Sequence, residues 1–231
     1  MKRLWKPRFL RVGSDCVLYH DYTLDPLAFD HSGNGNNGTI YGATPQTIGM
    51  FFQTDDYIDV PFASNLSPGT NDYAAMAWIN PTYVSQTLYM ILSMGGAILI
   101  FSAYQLAEDA YGTWSDYVQT APGGSNYYYD IFSLPHVDCD GSWHFLSYEI
   151  DRNVGAYIRL DGNALIGPFG DTYETAITFS TYCNIGVYNN HTSAFFSGLI
   201  DFLQVYNGTF NNYSGKTSLE IYNATKARYG L

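Results

Sequence analysis

At 231 residues the chain has the length of one large all-β domain or two small ones. Its formal net charge of -11 argues against a nucleic-acid binder, whose Lys and Arg must answer phosphate, and equally against an anionic membrane surface. Twenty-two Tyr and 14 Phe with only 13% charged residues suit half-buried pleated surfaces and leave few helix formers.

Five of the ten Lys and Arg fall between Lys2 and Arg11. This basic arm, over 1–13, reads as a tether to an acidic partner or as a frayed terminus. Lys6, Arg8 and Arg11 interrupt any apolar run behind the basic start, so no signal peptide is recognisable. No later run has the length of a membrane-crossing helix. Residues 14–231 carry no internal repeat and no linker, and form one domain.

Short apolar or alternating runs then recur between turn residues, the pattern of an all-β sandwich. Strands are expected at Cys16 to His20, Thr39 to Tyr41, Met50 to Phe52 and Tyr57 to Pro61. Tyr73 to Asn80 is the strongest, with Ala75, Ala77 and Ile79 on one face and Met76 and Trp78 on the other. Further strands follow at Leu88 to Leu92, Ala97 to Ala103, Trp114 to Thr120, Tyr127 to Phe132, Trp143 to Ile150 and Ala156 to Leu160. Asp161-Gly162 is a hairpin signal for a type I′ turn. The last strands are Thr175 to Phe179, Cys183 to Tyr188 and Gly198 to Tyr206. Only Ser218 to Arg228 has helical spacing, with Leu219, Tyr222 and Ala227 able to share a face. Cys16, Cys139 and Cys183 show no metal-ligand spacing and read as three buried thiols, or as one disulfide and a free thiol.

Several segments in order carry a family resemblance. They begin with Asp30-His31-Ser32-Gly33-Asn34-Gly35 and Asp55-Asp56-Tyr57-Ile58-Asp59-Val60. Tyr73-Ala74-Ala75-Met76-Ala77-Trp78 and Gly141-Ser142-Trp143-His144-Phe145 follow, then Ile158-Arg159-Leu160-Asp161-Gly162 and Phe196-Ser197-Gly198-Leu199-Ile200-Asp201. Together they resemble the laminin-G-like jelly roll of the concanavalin A-like lectin and glucanase superfamily. The resemblance implies an all-β fold: a two-sheet antiparallel β-sandwich with a short C-terminal helix. It also implies a structural calcium ion between an early loop and the last strand. The matching positions are Asp30 and Asp201, with Asp21 a weaker candidate, and Ca²⁺ takes six to eight oxygen ligands.

The laminarinase-type hydrolases of this superfamily carry Glu, Asp and Glu at alternate positions of one strand. Here Glu149 and Asp151 match the first two, but the third position is Asn153 or Val154. Retaining hydrolysis needs two carboxylates about 5 Å apart, so the enzyme reading is rejected. Carbohydrate binding is the family's common use, needing aromatic platforms and amide or carboxylate partners. Tyr127, Tyr128, Tyr129, Trp114 and Asn190 have that makeup. N-x-S/T acceptors occur at Asn37, Asn65, Asn190, Asn207, Asn212 and Asn223, as surface glycosylation sites or as mere composition.

The expectation is a non-catalytic structural or adhesion protein of a surface assembly, in first place a virion fibre, turret or decoration protein that touches glycans. Its expected place is the virion, the cell surface or the extracellular space. Its partners are host glycans and other structural proteins of the assembly, reached through the basic arm. A secreted lectin-like module is the alternative and a glycoside hydrolase the third.

Overall fold

The strand Tyr73–Pro81 shows why this sequence folds as a sandwich. Ala75, Ala77 and Ile79 enter one apolar cluster while Ala74, Met76 and Trp78 enter another, so both faces are buried. The computed structural model describes residues 13–82, 88–95, 98–105, 112–119, 127–129, 141–169, 181–188, 191, 195–208 and 217–231. Its strands are β1 (Cys16–His20), β2 (Thr39–Tyr41), β3 (Thr44–Pro45), β4 (Met50–Phe52), β5 (Tyr57–Val60), β6 (Tyr73–Pro81), β7 (Leu88–Met94) and β8 (Ile98–Gln105). They continue as β9 (Gly112–Gln119), β10 (Tyr127–Tyr129), β11 (His144–Asp151), β12 (Gly155–Leu160), β13 (Asn163–Phe169), β14 (Cys183–Ile185) and β15 (Gly198–Tyr206), followed by the helix α1 (Ser218–Thr225).

Among the described residues all pairings are antiparallel. The first sheet runs β13-β12-β11-β6-β15-β4-β3 with β1 also on β15, and the second runs β10-β9-β8-β7-β14-β5-β2. The main core lies between them, with Leu146, Ile150, Ile200 and Val205 from the first sheet against Ile58, Val60, Ile91 and Ile185 from the second. The two-residue β3 extends what alternation alone predicts, and β13 is the second arm of the hairpin that Asp161-Gly162 signals, paired antiparallel with β12. Asp161 and Gly162 have φ 50° and 76°, as the type I′ turn requires.

The outer face of the first sheet carries a second cluster of Tyr19, Met76, Trp78, Phe145, Phe202 and Tyr229, roofed by Ile221 of α1. Thr217 and Glu220 form a capping box at the helix start. The helix does not bury the predicted face: Leu219 is 45% exposed, while Ser218, Ile221 and Thr225 are buried. The sheet beneath decides this, because it offers polar partners. Trp78 Nε1 donates to Thr225 Oγ1 at 2.9 Å, and the Ser147 and Ser218 hydroxyls lie 2.6 Å apart.

Candidate functional site

β15 changes partner part-way along its length. Gly198 to Ile200 pair with β4, whereas Leu203 to Tyr206 pair with β1. Between these halves the chain bulges, and Phe202 takes φ 52°. Asp201, fully buried, sits at this break and gathers donors from the turn after β1 and from the C-terminal segment. Its Oδ1 accepts from Thr23 N at 3.0 Å, and its Oδ2 from Thr23 Oγ1 at 2.7 Å, the Tyr229 hydroxyl at 3.0 Å and Arg228 at 3.2 Å.

Asp21 completes the cluster. Its Oδ1 accepts from Arg228 at 2.8 Å and from Leu24 N at 3.1 Å, and its Oδ2 from the Tyr19 hydroxyl at 3.1 Å. Burial and the neighbouring Asp201 push the Asp21 carboxyl above its ordinary range, against the pull of Arg228. Burial opposes the Arg228 charge, but the Asp21 and Asp201 carboxylates outweigh it and hold its pKa above the usual value. The guanidinium thus supplies the cation that two buried carboxylates need.

This network props up a cleft. Thr23 Oγ1 also accepts from Gly49 N at 3.0 Å, fixing the β3–β4 hairpin, whose turn is closed by Gln46 N donating to Gly49 O at 3.0 Å. The Tyr229 ring lies 4.8 Å from that of Trp143. Asn80 Nδ2 donates to Gly141 O at 2.6 Å, pinning the turn that delivers Trp143. Trp143, Gln46, Thr47, Ile48, Phe51 and Leu199 border an open, shallow cleft of about 520 Å³. Phe51 and Leu199 are cross-strand neighbours and make the floor. An apolar floor, an indole wall and an exposed amide and hydroxyl at the rim suit a sugar, whose C–H face is apolar and whose edge is not.

The residues expected from sequence fall elsewhere. Asp30 organises its own loop: Oδ1 accepts from Tyr19 N and Ser32 N at 2.9 Å each, and Oδ2 from Ser32 Oγ at 2.7 Å and Asn36 N at 2.9 Å. The oxygens of Asp30, Asp201 and Asp21 are thereby turned to N–H, O–H and guanidinium donors, a set that does not fit a calcium ion. Among the described residues no group of three or more His, Cys, Asp or Glu could hold a metal.

Tyr127, Tyr128 and Tyr129 form β10, in register with Val118, Tyr117 and Asp116 of β9, the strand that carries Trp114. Asn190 and Asn212 lie outside the described residues, as do Cys139 and residues 1–12 of the basic arm. Asn37 and Asn223 are exposed. Asn207 is half-buried, and its Nδ2 donates to Asn65 O at 2.7 Å. Cys16 and Cys183 are free and buried, and burial raises both thiols well above the ordinary value. Glu149 pairs with Arg159 at 3.0 Å, and Asp151 Oδ1 accepts from Asn153 N at 2.9 Å. Alternation in the sequence places Trp143 in a strand, whereas it stands just before β11. The signal available was its glycine turn, Gly141-Ser142, which sets an indole at a strand entrance.

No helix among the described residues is long and apolar enough to cross a membrane. No curated protein matches the sequence. Among solved structures the fold is similar to domain 4 of AbnA, a GH43 extracellular arabinanase from Geobacillus stearothermophilus, in complex with arabinotriose. That likeness has a TM-score of 0.59 at 18% identity, over 90% of this chain and 97% of that one. It is also similar to the botulinum neurotoxin serotype D binding domain (TM-score 0.63, 12% identity, 95% of this chain and 53% of that one). Trypanosoma rangeli sialidase in complex with sialic acid gives a TM-score of 0.59 at 10% identity, over 92% of this chain and 33% of that one. At such identities these likenesses concern the fold alone. The sequence itself goes further: residues 52–212 match the Laminin_G_3 model of the concanavalin A-like lectin/glucanases superfamily, and the chain belongs to that family.

Proposed function

We propose that this chain is a non-catalytic carbohydrate-binding domain of a surface assembly, and that the Trp143 cleft seats the sugar. The observation that carries the reading is the indole wall beside the Phe51–Leu199 floor, in a space of about 520 Å³ with Gln46 and Thr47 at its rim. The similarity in fold to a domain solved with arabinotriose supports it. The non-catalytic reading is supported by Glu149, held by Arg159 at 3.0 Å, and by Asn153 or Val154 where a hydrolase would place its second working carboxylate.

Within this reading, the finer placement is a virion fibre, turret or decoration protein. The basic arm between Lys2 and Arg11 on an otherwise acidic chain favours attachment to an acidic neighbour. Mass spectrometry of purified particles against culture medium separates that placement from a secreted lectin-like module.

The deciding experiment is a glycan array on the purified full chain, with calcium and again with EDTA, alongside Trp143→Ala. The wild type is expected to bind a defined set of glycans equally in both buffers. Trp143→Ala is expected to weaken that binding roughly tenfold or more, the loss of a stacked ring face. Thermal melting of the variant separates lost binding from lost folding, and Gln46→Ala, at an exposed rim position, tests the same cleft without touching the core. An array silent for the wild type, or full binding by folded Trp143→Ala, overturns the reading.

A further inference from the structure

The far end of the same sheet is built from different chemistry. There β6 begins, β11 and β15 end, and β1 starts, so the residues just beyond those strand ends converge. Asp15, Asn71, Asp72, Arg152, Asn153 and Asn207 line a cavity of about 510 Å³ with no aromatic side chain. Its walls are fixed. Arg152, only 8% exposed, donates from its backbone N to Asp72 Oδ1 at 2.9 Å, from Nε to Asn71 O at 2.6 Å and from a guanidinium nitrogen to Gly69 O at 2.7 Å. Asn207 N donates to Asp15 O at 3.0 Å and its Nδ2 to Asn65 O at 2.7 Å.

Asn207 Oδ1 is left buried without a hydrogen-bond partner among the described residues. A buried acceptor in that state calls for a donor. The Asp15 and Asp72 carboxylates add acceptors, and the exposed side-chain amides of Asn71 and Asn153 add donors as well. Two carboxylates repel an acidic sugar, while Arg152 already provides the local positive charge that an amine would bring.

We infer that this cavity is a second carbohydrate seat, taking the hydroxyl-dense edge of a neutral sugar where the Trp143 cleft takes an apolar face. The inference rests on the reading of the domain as carbohydrate-binding and makes it bivalent. The two seats lie at opposite ends of β6, whose eight steps from Tyr73 to Pro81 span roughly 26 Å. One domain can then bridge two glycan chains or grip one chain at two points.

The test uses the full chain and four neutral sugars, D-glucose, D-galactose, D-mannose and L-arabinose, read by saturation-transfer NMR. Trp143→Ala is expected to retain the signal of at least one sugar. Adding Asn71→Ala and Asn153→Ala to it is expected to weaken that signal roughly tenfold, as the loss of two hydrogen bonds would. Both amides are exposed and make no other bond in the described structure, so the double change leaves folding intact. Beads coated with the responding sugar are expected to agglutinate with the wild type and not with Asn71→Ala/Asn153→Ala. Loss of all signal in folded Trp143→Ala, or no effect of the double change, overturns the second seat and leaves the first standing. Silence of the wild type with all four sugars also overturns it, and the glycan array then decides the first independently.

Discussion

The Tyr229 hydroxyl donates to Asp201 Oδ2 at 3.0 Å, joining the C-terminal segment to the point where β15 changes partners. Burial holds this phenol well above its ordinary pKa, so it stays protonated and remains a donor. Tyr229→Phe keeps the ring that packs on Trp78 and Trp143 and removes only the donor. The expected cost is about 1.5–3 kcal/mol, the range for a hydrogen bond to a buried charge. Urea unfolding at neutral pH reads it, and glycan binding is expected to persist because the cleft wall is unchanged. An unaltered midpoint would show that Asp201 finds another donor.

Arg228 bridges Asp21 at 2.8 Å and Asp201 at 3.2 Å, so Arg228→Met leaves two buried carboxylates without a cation. The expected loss is about 3–5 kcal/mol at neutral pH. The sign of the pH response follows from Asp21. Its carboxyl is already raised in the folded protein by burial and by Asp201. The folded state therefore binds that proton more tightly than the unfolded chain does. Stability from this group is present at low pH and lost as pH rises through the folded pKa. Removing the guanidinium raises that pKa further, so the variant is expected to regain stability, relative to the wild type, as the pH falls below neutral towards the Asp21 carboxyl's raised pKa. Midpoints that fall on acidification, relative to the wild type, would contradict the assignment.

His20 gives the opposite pH dependence. Its Nε2 lies 3.1 Å from Asn36 O, which can only accept, so the proton sits on Nε2 and Nδ1 accepts from the Tyr22 hydroxyl at 3.1 Å. Complete burial pushes its pKa down to about 4 from an ordinary 6.5. Unfolding below that ordinary value therefore takes up a proton. The stability is fully present above pH 6.5 and drains away as pH falls towards 4, by at most on the order of 3 kcal/mol. Comparing wild type with His20→Gln across this window isolates the effect, because the Asp21 contribution is common to both. Parallel pH profiles for the two proteins would remove His20 as the cause.

Sequence carried the sandwich because alternation is a local property. Ala75, Ala77 and Ile79 against Met76 and Trp78 declare their faces within one strand. It did not carry the meaning of Asp201. An aspartate at the end of such a motif reads the same whether it meets a metal ion or an arginine. The partners that decide it, Thr23 and Arg228, are 178 and 27 positions away. The helix face was misread for the same reason, since the Trp78 indole N–H that draws Thr225 inward lies 147 positions off. The Trp143 cleft is assembled from the β3–β4 turn, the entrance of β11 and β15, and no single window of sequence contains it.

Gly49 ties that distant network to the cleft, and its replacement tests the link. It takes φ +79°, and an added Cβ would lie 2.8 Å from the Ile200 carbonyl oxygen and 3.1 Å from the Trp143 ring. The backbone of β15 cannot yield as a flexible side chain can, so Gly49→Ala must shift the hairpin and the indole together. Conformational strain alone is expected to cost about 1–3 kcal/mol, and the glycan binding of the Trp143 cleft is expected to fall with it. Gly141→Ala is the control: its φ is +82°, yet nothing lies within 4 Å of the added Cβ. It bears similar strain without the collision, so it is expected to lose stability but keep binding. Equal retention of glycan by both variants, measured on the same array at matched folded fractions, would show that the hairpin does not shape the sugar seat.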